Sequence, residues 1–184
     1  MLETKGASKH PLNGNGHGLQ SHLGHGQYQR FYPDQLPAFA HEPTRDRFQI
    51  RHISDGVGEG VVALVPFAVG AVVCAFTGFL TSEVTQFTLQ IGRGRHLHDP
   101  YFYGKTLHSC DHNCFIDVKK RQFIAIKPIA AGNFVTFDYA QTEDYLFLAF
   151  PCSCGAINCR GKVLGRKQKD TAARGHRAPR RKLA

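Results

Sequence analysis

Three cysteines fall within eight residues of the stretch "FPCSCGAINCRG": Cys152, Cys154 and Cys159. A Cys-x-Cys pair with a third cysteine five positions on can wrap one face of a zinc ion, which prefers four soft or borderline ligands in a tetrahedron. Three thiols leave one place open. Cys110 and Cys114, in "LHSCDHNC", are the other clustered thiols, and spacing does not choose between them. Either would pin residues 150–161 back onto distant sequence. Cys74 sits inside an apolar run and reads as a small hydrophobic side chain.

Six cysteines in 184 residues would also suit a disulfide framework. Their clustering, the Cys-x-Cys spacing and the lack of a charged-then-apolar leader pattern favour thiolates in a reducing compartment. No apolar run approaches the ~20 residues that span a bilayer, so a soluble, intracellular protein is expected, with no membrane partner. The charge is lopsided. From Arg160 to Ala184 there are ten Lys or Arg against Asp170 alone, and the preceding residues balance, so the net +9 lies at the C-terminal end. Such a block reads as a solvated tail, or as a contact for nucleic acid, for an acidic surface or for the protein's own cleft.

The elements that must position the thiols are short. Residues 1–44 are rich in Gly, His, Pro and Gln, show no apolar periodicity and read as disordered. The spacing of His10, His17, His22 and His25 is that of simple flexible sequence, with weak chelation as the alternative. From Arg47 the texture changes to brief Val/Ile/Phe runs such as "RFQIRHI", "GVVALVPF", "QFIAI" and "NFVTFDY", punctuated by Gly, Pro and Asp. That pattern predicts a compact, mostly β domain. Cys114 to Lys127 predicts a hairpin with Lys119, Lys120 and Arg121 at its turn. Helical signal is poor, and the best candidate is a short turn near Glu143 to Phe150.

Four blocks together resemble the SET-domain protein lysine methyltransferases of the small stand-alone microbial kind with a post-SET zinc segment. "GEGVVALVPFAVGAVVCAFTG" (Gly58 to Gly78) resembles the family's opening G-x-G-x-x-A segment, and "LHSCDHN" (Leu107 to Asn113) its N-H-S-C-x-P-N motif. "AAGNFVTFDY" (Ala130 to Tyr139) resembles G-E-E-L-T-F-D-Y, and "CSCGAINCRG" the post-SET C-x-C-x4-C-x-G. The resemblance implies a SET-domain fold of small twisted sheets with a knot-like C-terminal threading. It divides the chain into a disordered segment at 1–44, a SET domain at 45–148, a zinc-clamped post-SET segment at 149–165 and a basic disordered tail at 166–184.

It also implies an activity: S-adenosylmethionine-dependent methylation of a protein lysine, with histone tails as the expected substrate. The zinc ligands carried over are Cys110, Cys152, Cys154 and Cys159, and the clamped segment then forms a wall of the substrate-lysine channel. Tyr139 matches the catalytic tyrosine that orients the amine. Phe137 matches the position that limits product methylation, where Phe leaves space for di- or trimethylation. Gly58, Glu59 and Gly60 take the place where the backbone meets the cofactor, glycine allowing close approach, and His108 matches the histidine whose backbone meets the adenine. Asp138 is expected to be a structural hydrogen-bonder. Tyr101 and Tyr103 line the cleft or fill the core. A lysine amine, with an ordinary pKa of roughly 10.4, must lose its proton to react, and a narrow aromatic channel assists by desolvating the ammonium.

Two positions depart from the pattern. Leu107 stands where the family has an asparagine that hydrogen-bonds the cofactor's amino-acid end, and His112 stands at the motif proline. Leu107 opens a second reading: a weak or inactive SET-like module that binds peptide or chromatin, with residues 160–184 contacting nucleic acid. The tail "RAPRRKLA" (Arg177 to Ala184) resembles the histone-three stretch "KAPRKQLA", with Arg177 at the lysine position. A pseudosubstrate role for the tail follows as an expectation. Residence is read as nucleus or cytoplasm, or a host nucleus for a secreted microbial protein.

Overall fold

The computed structural model of the chain describes residues 29–168. The expectations placed on the first 28 residues and on 169–184, including the histidine spacing and Arg177, lie outside the described residues. Among the described residues the strands are short and form small sheets. β1 (Phe48–Ser54) pairs antiparallel with β2 (Gly58–Ala63), Phe48 opposite Ala63 and Ser54 opposite Gly58. Gly58 closes that hairpin at φ 84°, a left-handed conformation that suits glycine. Gly60 to Ala63 are all buried, with no inward–outward alternation. The cause is that both faces of β2 are covered, Val61 and Ala63 packing in the core while Leu107 and Phe134 lie over Gly60. Its edges are bonded too, Ala63 N–H donating to Asn133 O and Val135 N–H to Val61 O beyond the pairing with β1.

β3 (Val72–Ala75), β9 (Gln122–Ala125) and β8 (Cys114–Asp117) form one sheet in that order, and β4 (Phe79–Thr81), β6 (Arg95–His98) and β5 (Thr88–Gly92) another. The β8–β9 hairpin is the one expected from sequence. Lys120 N–H donates to Asp117 Oδ1, and Arg121 takes a left-handed φ of 55° to close the turn. Between the sheets lie tilted and edge-to-face aromatic contacts, Phe31 and Phe48 on Phe102, Phe76 on Tyr103 and Phe123.

Two expectations need correction. Phe31 and Tyr32 fall inside the segment read as disordered, yet both are buried in this core. Arg30 bonds Glu42, and Tyr32 Oη donates to Asp99 Oδ2 at 2.8 Å. Aperiodic sequence can still be anchored by single aromatics, so the ordered body starts before residue 45. The residues Glu143 to Phe150 hold no helix; the 3-10 turns nearest the cleft lie at Tyr103–Lys105 and Tyr139–Gln141. Asp99, fully buried, accepts from the backbone N–H groups of Tyr101, Phe102 and Tyr103 and so fixes the first of these turns. No helix among the described residues is long and apolar enough to cross a membrane.

Candidate active site and metal centre

The site is built where three separate pieces of chain meet. β7 (Leu107–His108) and β10 (Thr136–Phe137) pair in parallel, Leu107 beside Thr136 and His108 beside Phe137. The pairing brings the "LHSC" and "FDY" blocks side by side. Asn113 locks it from below, its amide donating to Phe134 O while its Oδ1 accepts from Thr136 N–H. The third piece is the hairpin of β11 (Phe150–Pro151) and β12 (Lys162–Val163), whose loop carries Cys152, Cys154 and Cys159.

The geometry answers which cysteine completes the set. The sulfur atoms of Cys110, Cys152, Cys154 and Cys159 all lie within 4.8 Å of one another, with Cys110 to Cys152 at 3.9 Å. Four thiolates about 2.3 Å from a tetrahedral zinc would sit about 3.8 Å apart, so the spacing fits that ion. Cys114 instead points into the core from β8, completely buried, its thiol pushed up to about 12 by that burial. Cys74 is likewise buried. Hydrogen bonds from the backbone at Ala156 and Cys110 hold the Cys154 thiol down to about 6, the ligating form at neutral pH. Burial pushes its neighbour Cys152 up to about 12. Four thiolates this close repel one another unless a cation lies among them, and that is the chemistry of a structural zinc site. The N–H groups of Arg160 and Gly161 donate to Cys110 Sγ and Cys159 Sγ, as is usual around such sulfurs.

Around the thiol cluster the polar contacts lead straight to Tyr139. The Arg160 guanidinium, next to Cys159, forks onto Asp138. Asp138 in turn caps the 3-10 turn that begins with Tyr139, accepting from Ala140 N–H at 3.1 Å. His108 Nδ1 accepts from Tyr139 N–H at 3.3 Å, which leaves Nε2 to carry the proton toward Cys110 Sγ at 3.5 Å. Burial holds His108 down to about 4, so it is neutral, and its 3.5 Å approach to Asp138 is not an ion pair. Tyr139 Oη donates to Thr106 O at 2.8 Å. Burial raises the phenol well above its ordinary range, so the hydroxyl keeps its proton. With that proton committed to a carbonyl, the oxygen's lone pairs are free to accept from an incoming N–H.

Tyr139 opens onto a cavity of about 1020 Å³. Phe137, at 4.9 Å between ring centroids, and Phe150, at 6.4 Å, flank it as an aromatic wall. Of the residues singled out from sequence, Gly58, Glu59, Leu107, His108, Phe137 and Tyr139 line this cavity, as do Cys152 and Cys154 from the clamped loop. Gly60 is not on the wall. A side-chain carbon there would meet Leu107 Cδ1 and Phe134 Cε1 at 2.8 Å, so its role is to let those two side chains approach β2. Tyr103 lines the cavity while its hydroxyl bonds Leu97 O; Tyr101 packs on the core.

Three further residues join the site through partners distant in sequence. Lys105 pairs with Glu59 at the cavity, and a lysine two residues before Leu107 was the available signal. By sequence Arg160 is only one member of a charge block. Glu143, 5% exposed, reaches the cavity wall from the turn after Tyr139. Nothing in its local sequence distinguishes it.

No family model and no curated protein matches the sequence. Solved structures do match in shape. KRYPTONITE, crystallised in complex with mCHG DNA and SAH, superposes with a TM-score of 0.51 at 23% identity, over 64% of this chain and 29% of that one. The methyltransferase domain of human histone-lysine N-methyltransferase SETMAR gives 0.52 at 19%, over 64% and 58%. The fold is that of a SET domain. Within it, the small sheets and the C-terminal cysteine cluster occupy the arrangement expected from the four sequence blocks, although the chain spans less than two thirds of either neighbour.

Proposed function

We propose that this SET-fold chain is an S-adenosylmethionine-dependent protein-lysine N-methyltransferase acting on histone tails. The observation that carries the reading is Tyr139, held beside a cavity by Thr106, His108 and the Asp138–Arg160 pair, and walled by the thiol-clamped loop. The SAH in the KRYPTONITE crystal supports the choice of cofactor, and the name of SETMAR the choice of substrate. The DNA in the former also suits the basic stretch from Arg160 onward as a nucleic-acid contact.

When bound, S-adenosylmethionine supplies an electrophilic methyl group on a positively charged sulfur. This chain's residues do the positioning. Phe137, Tyr139 and Phe150 exclude water from a lysine side chain and align it, and the Tyr139 oxygen accepts an N–H that fixes the lone pair's direction. Phe137 brings no hydroxyl, so a methylated amine has room to turn and react again. Cys110, Cys152, Cys154 and Cys159 would hold a zinc ion, and the loop so clamped keeps Phe150 beside Tyr139.

The amino-acid end of the cofactor needs one partner of each charge. Leu107 supplies none, its side chain lying on Gly60. The Lys105–Glu59 pair sits on the same wall and offers a cation for the carboxylate and an anion for the ammonium. The apolar Leu107 surface is also what favours the second reading, a binding module without transfer. Calorimetry with S-adenosylmethionine separates them: micromolar binding that Lys105→Met abolishes supports the enzyme, and no binding by the wild-type chain supports the module.

A further inference from the structure

The cavity wall carries two carboxylates, Glu59 and Glu143. Glu59 is half-exposed and neutralised by Lys105. Glu143 is different. It is buried, and both of its side-chain hydrogen bonds fall on one oxygen: Gln90 N–H donates to Oε1 at 2.8 Å and Thr142 Oγ1 donates to Oε1 at 2.9 Å. Among the described residues Oε2 accepts no hydrogen bond. Its own N–H donates to Tyr139 O at 2.9 Å, which sets it one turn beyond the tyrosine that faces the amine.

Other groups near Tyr139 are already committed. Both nitrogens of His108 are used, by Tyr139 N–H and Cys110 Sγ. Asp138 holds Arg160, and Asp144 holds Arg166, Lys167 and Gln90. Resting on the methyltransferase reading, we propose that Glu143 is the carboxylate that receives the substrate's ε-ammonium inside the cavity and takes its proton. In that step an N–H bond of the ammonium breaks, the proton passes to Oε2, and the bonding pair stays on nitrogen as the lone pair the reaction needs. The proton then leaves Glu143 for solvent.

The surroundings suit that task. Burial raises Glu143 to about 7 against the opposing hydrogen bonds from Gln90 and Thr142 and the Arg166 charge. A group balanced there can both hold a cation and give up a proton near neutrality. The charged and titratable groups around it are Tyr139 on its own turn, Tyr103 on the facing 3-10 turn, and Asp144 and Arg166 beside it. Arg166 is turned to Asp144 Oδ1 and Thr142 O, not to the free oxygen.

The test compares the full chain with Glu143→Gln, which keeps an oxygen for Gln90 and Thr142. n-Butylamine and n-butanol serve as probes of the channel, titrated above pH 7 and followed by calorimetry. The wild type prefers the amine by about tenfold, and Glu143→Gln loses the preference; a variant that keeps it, or a wild type that never had it, overturns the inference. In labelled-methyl transfer, the variant's kcat/KM falls by more than about tenfold, through both kcat and KM, and the acidic limb of the rate profile near pH 7 disappears. A variant with the wild-type rate and profile overturns the inference and leaves the methyltransferase reading standing. No transfer by the wild type removes that reading, and the amine preference still decides what Glu143 binds.

Discussion

Arg160 and Asp138 form a two-pronged ion pair, Nη1 to Oδ2 at 2.9 Å and Nη2 to Oδ1 at 2.5 Å. One partner follows the last cysteine of the clamp and the other precedes Tyr139. The pair is thus a second polar path from the thiol cluster to the proposed reaction centre, beside the His108 bridge between Cys110 Sγ and Tyr139 N–H. Its planar fork transmits orientation as well as charge, which a lysine ammonium would not do.

Replacing Arg160 with Met breaks this path without touching a thiol. Zinc content stays at that of the wild type, because the four ligands remain. Methyl transfer drops by about tenfold, through kcat more than KM, since Tyr139 loses the brace of its 3-10 turn. The Asp138→Asn change has the same effect, and the double variant is no worse than either single one. The check is a zinc assay run beside the transfer assay on all three proteins.

Cys110→Ala and Cys114→Ala separate ligand from core. The first loses bound zinc and frees the 152–161 loop, and protease cutting there rises. The second keeps a full equivalent of zinc but loses packing in a filled core, at about 1 kcal/mol. Metal analysis and a denaturant titration read both.

Leu107→Asn restores a polar group at the cofactor wall. One added hydrogen bond to a charged group contributes roughly 1.5–3 kcal/mol, so S-adenosylmethionine binding tightens by about ten- to a hundredfold. The same change removes the Leu107 methyl that touches Gly60, so the fold loses a little stability. Calorimetry gives the first and thermal unfolding the second.

The pH dependence of stability follows from Glu143. Its folded-state pKa of about 7 lies above the ordinary value of 4.5 because burial disfavours the charge. Between those values the native state binds the proton and the unfolded chain does not, so stability falls as pH rises from about 4.5 to 7 and is level beyond. The integrated loss is on the order of 3 kcal/mol, from 1.36 kcal/mol per unit. Glu143→Gln removes that slope and is the more stable protein above pH 7, as measured by denaturant midpoints across pH.

Much of this was legible from residue order. The β8–β9 hairpin follows from alternating apolar residues around "DVKKR", and the thiol trio from its own spacing. What sequence leaves open is whatever depends on chain pieces meeting from afar. Cys110 and Cys114 are equivalent candidates until the parallel pairing of β7 with β10 turns one toward the clamp and the β8 strand turns the other inward. Phe31 and Tyr32 carry no periodic signal, since single aromatics anchor that segment onto Phe102 and Asp99. Lys105, Arg160 and Glu143 are ordinary surface residue types by composition. Only their partners Glu59, Asp138 and Gln90, each more than 20 residues away along the chain, give them a role.

Transfer of a labelled methyl group from S-adenosylmethionine to mixed histones, by the zinc-loaded wild type and by Tyr139→Phe, bears most directly on the whole account. Label on histone lysine from the wild type, cut by about a hundredfold or more in the variant and lost on stripping the zinc, is the predicted result. Equal labelling by both proteins, or none by a wild type shown to bind the cofactor, would contradict it.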